Sequence, residues 1–432
     1  MCIRNHKICE ESDKMRYMAG SYLPAFFEMN LNTDDDIDIN HLKRDQWSTF
    51  LHEYIHFLQD ITTMYGLYNI YAIGEYMSTT AEQIKALPLG PYEQINFRES
   101  NQNLVSSQID LHCATIGELE ESKQFIDTIK IIDIGESKKK ITENPVVPSI
   151  DSIILYSNKG NLHFGTREIM ESMAYTIQRV CYHDTPDHYE FPYMTAYKVA
   201  AFYDAEFAKD PKKLVALCEM SLMTSNPGFM FITAMKEFKA KDVKIKDIFA
   251  YFKSREFSNG ETNGTLSIDT IFSNISNLAY RHYIGYYKGD PIFKKEVEWL
   301  ERLQNFSNNH RKTTQSIFLD IMNGGEASKN SVLQHIVSVI GGPMMKNNKG
   351  NCYRFDNTPN LSIIAATKSI FYDVFVNGEN KCGLYGWCMQ NPNNNIDANC
   401  PYKPWDRCES PDTMCPFSML WRRWGLSGHY PE

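Results

Sequence analysis

The sequence has few features that would direct it to a membrane or a nucleic acid. No apolar run approaches the roughly 18 residues that a membrane-spanning helix requires. The first twelve residues, MCIRNHKICEES, lack the apolar segment of a secretory signal. Clustered basic residues are also scarce: the net charge is −9, and the strongest basic run is Lys138-Lys139-Lys140. We therefore expect a cytoplasmic protein whose partners are neither membranes nor nucleic acids.

Closely paired cysteines, which build zinc ribbons and redox motifs, are missing as well. The chain has eleven cysteines but no Cys-x-x-Cys pair, and without an export signal we expect mostly reduced thiols. Five cysteines nevertheless crowd into 34 residues of the tail, separated by five, eleven, seven and six residues: Cys382, Cys388, Cys400, Cys408 and Cys415. They could hold a structural zinc ion or an iron–sulfur cluster, form a set of buried free thiols, or act as an oxidation-sensitive segment.

What the sequence does contain is typical of a well-packed protein. Of 432 residues, 43% are hydrophobic and 13% are aromatic, enough for a substantial core in one large domain or two to three smaller ones. Helical and extended apolar spacings both occur, which predicts an α+β fold rich in helices. The main predicted segments are an extended stretch at 21–31, a helix from about 40 to beyond 61, a strand at 123–135, a hairpin at 153–164, a helix at 166–182, a mostly helical region at 193–303 and a helix at 361–376.

The segment LHEYIHF, residues 51–57, carries two histidines four positions apart on a predicted helix. Residues at this spacing lie on one helical face, so the imidazoles of His52 and His56 can bind one zinc ion. The apolar stripe of the helix lies on the opposite side. Glu53 lies about 100° round from His52, where its carboxylate could reach a zinc-bound water and take its proton. The spacing is typical of metal-assisted hydrolysis, but three fixed positions also arise by chance.

Catalytic zinc takes three protein ligands and one water, so a third side chain is needed. The pattern HExxHxxGxxH would supply another histidine, but Gln59 and Thr62 occupy its last two fixed positions. Glu171 is the better candidate, because the small Ala174 on the same helical face would let the two helices approach closely. Glu168 is the rival ligand and lies nearer the flank of that helix.

The HExxH helix, followed by a helix with the Glu-x-x-Ala stretch at 171–174, resembles the gluzincin class of zincin metallopeptidases. The resemblance covers about forty residues, 39–61 and 165–179. The spacing of 115 residues between the second histidine and the glutamate is longer than in many gluzincins, which implies an insertion at about 67–150. The resemblance implies a zinc site with the ligands His52, His56 and Glu171 and with Glu53 as the general base.

Two further features follow from the resemblance alone. In zincins the active helix lies under a sheet whose edge strand pairs with an extended peptide. The hairpin Ile153–Phe164 is the candidate edge, because it leads into the helix that carries Glu171. A donor for the developing oxyanion is also implied. The candidates are Tyr175, one turn beyond Glu171, and the nearby His163, Arg167, His183 and His188.

The expected function is hydrolysis of protein or peptide substrates by a zinc metallopeptidase in which Glu53 activates a zinc-bound water. Three regions are expected: a zincin-like catalytic core at 1–190, a mainly helical region at 191–377 that completes the cleft, and a Cys- and Trp-rich tail at 378–432 that a bound metal ion could stabilise. One alternative is a non-catalytic, zinc-stabilised interaction or regulatory protein with its metal in the tail. Another is a zinc hydrolase of small-molecule esters or amides. No oligomeric state is predicted.

Overall fold

The computed structural model describes most of the chain. The described residues are 19–39, 41–93, 111, 114–118, 126–139, 149–184, 188–259, 264–313, 316–359, 362–379, 382–390, 396–407 and 415–432. Helices make up 57% of the structure and strands 14%, which confirms a helix-rich α+β fold. None of the helices in these ranges is long and apolar enough to cross a bilayer.

The first part of the chain contains the elements that form and surround the HExxH segment. In order they are β1 (Gly20–Leu23), β2 (Glu28–Leu31), α1 (Arg44–Thr62), α2 (Met64–Lys85), β3 (Gly90–Tyr92), β4 (Ile131–Lys139), β5 (Ile150–Ser157), β6 (Gly160–Phe164) and α3 (Thr166–Cys181).

The rest of the chain is mainly helical. Its helices are α4 (Thr195–Tyr203), α5 (Ala205–Ala208), α6 (Pro211–Ser221), α7 (Pro227–Phe238), α8 (Ile245–Lys253), α9 (Ile268–Ala279), α10 (Arg281–Tyr287), α11 (Lys294–Thr313), α12 (Ile317–Asn323), α13 (Ser331–Ile340), α14 (Ser362–Ser369, continued by a π-helix at Ile370–Val376), α15 (Tyr385–Gln390) and α16 (Pro416–Arg423). Its strands are β7 (Glu256–Asn259), β8 (Gly264–Ser267), β9 (Met344–Lys346), β10 (Cys352–Tyr353) and β11 (His429–Pro431).

Helix α1 is a central helix whose ends are set by capping groups. At its start the backbone N–H of Lys43 donates to the Gln46 side chain over 2.9 Å. At its end Thr63 is extended, and its hydroxyl accepts from the N–H of Gly66 over 3.1 Å, which begins α2. The sequence predicts one polar face, but every residue from Phe50 to Thr62 is buried, because α3 packs along this helix.

Helix α3 begins with a capping interaction that uses one of its two glutamates. The Glu168 carboxylate accepts from the backbone N–H groups of Gly165 over 2.8 Å and Glu118 over 3.3 Å, which satisfies donors at the start of the helix. Burial raises the pKa of Glu168 to about 7. Glu168, the rival candidate for the third ligand, therefore uses its carboxylate to cap the helix. Six residues further on, Ala174 has no exposed surface and leaves room for the close approach of α1.

Among the described residues, four small sheets surround the helices. The largest has the order β1-β2-β9-β10, in which β1 and β2 are antiparallel and β2 and β9 are parallel. A second, antiparallel sheet has the order β4-β5-β6, and two-stranded sheets join β3 to β11 and β7 to β8. Helix α1 packs against β1 and β2. The sheet beside the HExxH helix is therefore the first one, and not the one that contains the predicted hairpin.

The hairpin predicted at 153–164 is present as β5 and β6, but the strand predicted at 123–135 has the wrong bounds. Pairing with β5 begins at Ile131 and continues to Lys139, because β5 extends back to Ile150 and its backbone groups there need partners. Lys138 is thus exposed on an edge strand, where a charge discourages further pairing. Residues 119–125 lie outside the described part of the chain.

The turn between β1 and β2 is anchored to α1 by a buried carboxylate. Ala25 and Phe27 have positive φ angles of 64° and 50°, a conformation that costs a non-glycine residue free energy. Asp60 is 1% exposed and accepts from the N–H of Ala25 over 2.7 Å and from the hydroxyl of Tyr22 over 2.9 Å. Tyr283 donates to the Ala25 carbonyl over 2.9 Å. These bonds hold β1 in place against the helix.

The buried carboxyl of Asp60 should make the stability of the fold depend on pH. Burial raises the pKa of its carboxyl to about 7, whereas an unfolded Asp has a pKa of about 3.9. Between these values the folded protein keeps a proton that the unfolded chain releases, so the free energy of unfolding falls as pH rises from about 4 to about 7. Asp60→Asn keeps an acceptor for Ala25 and removes this contribution of a few kcal/mol, at about 1.4 kcal/mol per pKa unit. Urea unfolding between pH 4 and 8 measures it, and an identical slope in both proteins would refute it.

One partly buried arginine joins the C-terminal end of α1 to two later helices. Arg311 on α11 donates to the Thr62 carbonyl from Nε over 3.1 Å and from Nη2 over 2.8 Å. Its Nη1 donates to Glu219 on α6 over 2.7 Å. Glu219 has no exposed surface and also accepts from the Ser316 hydroxyl. Arg311 thereby supplies donors to the last turn of α1, where carbonyl groups lack helical partners.

Side chains from all three predicted regions share one hydrophobic core. Its members include Ala25 from the first region, Trp299 from the second and Leu426 from the third. The tail contributes Trp421 and Trp424 to it, and α16 packs against α14. The predicted region boundaries at 190 and 377 remain predictions.

Candidate metal centre

Two histidines of α1 and a glutamate of α3 meet between the two helices. The Nε2 atoms of His52 and His56 lie 3.2 Å apart. Oε2 of Glu171 lies 3.2 Å from Nε2 of His52 and 3.4 Å from Nε2 of His56. Both histidines are 7% exposed. The structure thus brings together the three side chains that the sequence predicts as zinc ligands.

The spacing of these three atoms suits a tetrahedral metal ion. Zinc binds histidine nitrogen and carboxylate oxygen at about 2.0–2.2 Å, so two of its ligand atoms lie about 3.3 Å apart. The observed separations of 3.2, 3.2 and 3.4 Å agree with this distance. Within the described ranges, this is the one group of three or more potential ligands whose binding atoms all lie within 4.8 Å of one another. Two histidines and a glutamate are also a known donor set for catalytic zinc.

The charges of this cluster stabilise a cation between the rings. Burial disfavours a charged imidazole, but the Glu171 carboxylate outweighs it and raises the pKa of His56 to about 9. Burial would likewise raise the pKa of Glu171, but His56 and His52 hold it well below its usual range. The cluster therefore favours positive charge at its centre, and a metal ion that binds there must displace a proton.

Glu53 lies beside the cluster with part of its carboxylate unpaired. Its side chain is 5% exposed, and Oε2 has no hydrogen-bond partner among the described residues. Burial raises its pKa, and His52 and His56 counteract the rise. The strand β1 passes directly over it: a Cβ at Gly20 would lie 3.0 Å from Cγ of Glu53 and 2.8 Å from Cγ2 of Thr49. Glycine at position 20 therefore lets the strand approach the general-base candidate.

Tyr193 is a site residue that the sequence did not reveal. Its ring centroid lies 5.9 Å from that of His52, in an edge-on arrangement, and its side chain is 9% exposed. Burial raises its pKa, and the charges of Glu171 and Glu53 raise it further, so its hydroxyl keeps a proton to donate. It precedes α4 in a segment without periodicity, where only its closeness to the second helix in sequence could have pointed to it.

The predicted oxyanion donor Tyr175 lies next to Tyr193. Their ring centroids are 5.8 Å apart, and the His188 ring packs on both, at 5.4 Å from Tyr175 and 4.9 Å from Tyr193. The remaining predicted donors have other surroundings: Arg167 donates to the Glu118 carbonyl over 3.1 Å, Nδ1 of His163 lies 3.4 Å from Oγ of Ser152, and His183 is exposed.

A cleft of about 520 Å³ lies on the N-terminal side of α1. It is lined by Gln178, which contacts His52, and by residues of α1, of the β1–β2 sheet and of the segment after α3. Arg44 reaches across this region and pairs with Asp184 and with Glu326, the latter over 2.9 Å. The metal-ligand candidates themselves do not line this cleft, and Gln178 is the lining side chain that contacts His52.

The cysteine tail has a different character. Cys382, Cys400 and Cys415 are buried and Cys388 is half-buried, all as free thiols, and Cys408 lies outside the described residues. Burial raises the pKa of Cys382 to about 12 and that of Cys388 to about 11, so these thiols stay protonated. A second zinc ion or an iron–sulfur cluster in the tail stays a prediction.

Comparisons of the chain with protein-family models, with curated proteins and with solved structures find no match. Function is therefore inferred from the geometry of the site itself. In that geometry, three ligand atoms at zinc spacing lie together with the ring of Tyr193 and with a carboxylate oxygen that has no hydrogen-bond partner in the described part of the chain.

Proposed function

We propose that the protein is a zinc-dependent metallopeptidase with a zincin-like core, of the gluzincin type. The observation that carries the proposal is the convergence of two imidazole nitrogens and one carboxylate oxygen at 3.2–3.4 Å. Three Lewis bases at this spacing, buried together, favour a bound cation. His52, His56 and Glu171 would hold the zinc ion.

The neighbouring side chains fit the roles that peptide hydrolysis requires. Zinc at this position supplies Lewis-acid chemistry, which lowers the pKa of water and polarises a carbonyl. Glu53 has a raised pKa and an oxygen with no hydrogen-bond partner among the residues that the structure describes, so it can take a proton from water and pass it to a leaving amine. Tyr193 keeps its hydroxyl proton and lies next to His52, where it can stabilise negative charge on a substrate oxygen. Tyr175 then supports the ring of Tyr193.

The substrate strand that we propose runs along β1, in place of the hairpin that the resemblance implies. Among the described strands β1 is an edge of the first sheet. The N–H of Asn32 donates to the carbonyl of Ala19, and hydrogen-bonded positions alternate along an antiparallel pair. The backbone groups of Gly20 and Tyr22 therefore point away from β2. An extended peptide could pair with them beside Glu53, which favours a peptide over a small-molecule ester or amide.

Locating the metal and measuring its effect on hydrolysis test the proposal. We expect the purified protein to contain one zinc ion in a coordination shell dominated by nitrogen and oxygen, as X-ray absorption would show. We also expect it to cleave an unfolded protein substrate, to lose this activity with a chelator and to regain it with Zn²⁺. A sulfur-only zinc shell without hydrolysis would instead support the non-catalytic alternative with its metal among the tail cysteines.

A further inference from the structure

We propose that Gln59 and Gln178 are positioning residues that fix the tautomer of both histidines and lock the two ligand-bearing helices in register. The proposal rests on the proposed function, because it assigns their role to the same zinc site. Both side chains are buried, with exposed fractions of 0% and 4%. Each glutamine touches one histidine of the cluster and one backbone carbonyl on the opposite helix.

The orientation of each amide group is set by its backbone partner. Nε2 of Gln59 donates to the carbonyl of Met170 over 3.1 Å. Nε2 of Gln178 donates to the carbonyl of Ser48 over 3.1 Å and to its hydroxyl oxygen over 3.0 Å. A carbonyl oxygen can only accept a hydrogen bond, so the amide nitrogen must face it. The amide oxygen of each glutamine must then face the other way.

Each amide oxygen faces a histidine ring. Oε1 of Gln59 lies 2.8 Å from Nδ1 of His56, and Oε1 of Gln178 lies 3.2 Å from Nδ1 of His52. Because an amide oxygen only accepts, both Nδ1 atoms must carry the proton. A neutral imidazole with a proton on Nδ1 has a free lone pair on Nε2, which is the atom that each histidine directs toward Glu171. The two glutamines therefore present both rings as metal ligands.

The two contacts are reciprocal, and this fixes the helix pair. Gln59 extends from α1 to Met170 on α3, the residue directly before Glu171. Gln178 extends from α3 to Ser48 on α1, one turn before His52. The bonds thus lie at either end of the cluster and oppose sliding of one helix along the other. Such sliding would carry Glu171 out of reach of the histidines.

The neutrality of both partners has a chemical consequence. Many zinc-ligating histidines donate to a carboxylate, which raises the basicity of the ring. An amide oxygen orients the ring without adding a negative charge. The sum of charges at the site is then set by the metal, Glu171 and Glu53 alone. A glutamate in place of either glutamine would keep the acceptor for Nδ1 and add a negative charge that favours a divalent cation, but it would lose the bond that joins the two helices.

The test compares zinc affinities of the variants Gln59→Leu, Gln178→Leu, Gln59→Glu and Gln178→Glu in the full-length protein. Affinity is measured by competition with a chromogenic chelator. Leucine removes the acceptor, and we expect it to weaken zinc binding 10- to 100-fold, as is typical when such a partner is lost. Glutamate keeps the acceptor for Nδ1 but loses the bond to the carbonyl on the opposite helix, and we expect its affinity to lie clearly above that of the leucine variant at the same position.

A matched control is Gln304→Leu, because Gln304 also donates to a backbone carbonyl, that of Ser276 over 3.2 Å, and is not part of the cluster. We expect no change in its zinc affinity. Circular dichroism of each metal-free variant establishes that it is folded.

If the wild type binds zinc and the leucine variants bind it equally well, the positioning role is wrong while the proposed function stands. If glutamate weakens binding as much as leucine does, the tautomer assignment is wrong. If the wild type binds no zinc, both proposals fail.

Discussion

Glu53→Gln is expected to lower peptide hydrolysis by about 10²- to 10⁴-fold while zinc remains bound, since that is the usual contribution of a general base. Glutamine has nearly the same shape as glutamate but cannot take a proton at neutral pH. Glu53 is not one of the three residues that supply the converging ligand atoms, so its replacement leaves the coordination of the metal unchanged. The loss should appear in kcat and not in zinc content.

The measurement is single-turnover cleavage of a peptide substrate, together with elemental analysis of zinc. A close control exists in this chain, because Glu296 on α11 is also buried, has a raised pKa and carries an Oε2 without a hydrogen-bond partner in the described ranges. Glu296→Gln should leave both activity and zinc content as in the wild type. If Glu53→Gln retained wild-type turnover on a genuine substrate, the mechanism proposed for Glu53 would have to be abandoned.

Glu171→Gln is expected to remove zinc from the protein almost completely. Its carboxylate is the one anionic group among the three ligands, and an amide oxygen is a much weaker partner for a divalent cation. It would also leave His52 and His56 without the negative charge that holds a cation between them. We expect an affinity loss larger than the 10- to 100-fold typical of a lost orienting residue.

Glu168→Gln is the matched control for this change, because it alters the same residue type one turn earlier on α3. Its carboxylate caps the helix and accepts from Gly165 and Glu118, and glutamine can also serve in a capping box. Zinc titration should therefore give wild-type binding for Glu168→Gln. The reverse result, with zinc lost only on replacement of Glu168, would move the third ligand to that position.

The parts of this fold that could be predicted from the sequence depend on local spacing. The HExxH helix, the β5–β6 hairpin and α3 follow from periodicity and turn residues within about twenty positions. His52 and His56 share a helical face for the same reason. The choice of Glu171 over Glu168 also came from its place on the helix face, and the structure brings Glu171 to the histidines.

Other features depend on contacts that no local pattern encodes. In the first sheet β2 pairs with β9, which lies more than 300 positions further along the chain. No local pattern could therefore show that this sheet, and not the β5–β6 hairpin, lies beside Glu53. Tyr193 reaches the site from a non-periodic segment. The polar residues Gln59 and Gln178 were visible on the faces that carry the ligands, but nothing in the sequence showed that a second helix would bury them.

The hydrogen bonds of Arg311 limit how far the chain can be shortened while the site stays folded. A fragment that ends at residue 190 would contain every proposed metal ligand and the general base. It would nevertheless leave the end of α1 without its arginine donor and β2 without β9. A buried backbone carbonyl that loses its hydrogen-bond partner typically costs about 1–3 kcal/mol, a substantial part of the stability of a domain. Shortened versions of the chain that are intended to retain the site should therefore extend beyond Lys346.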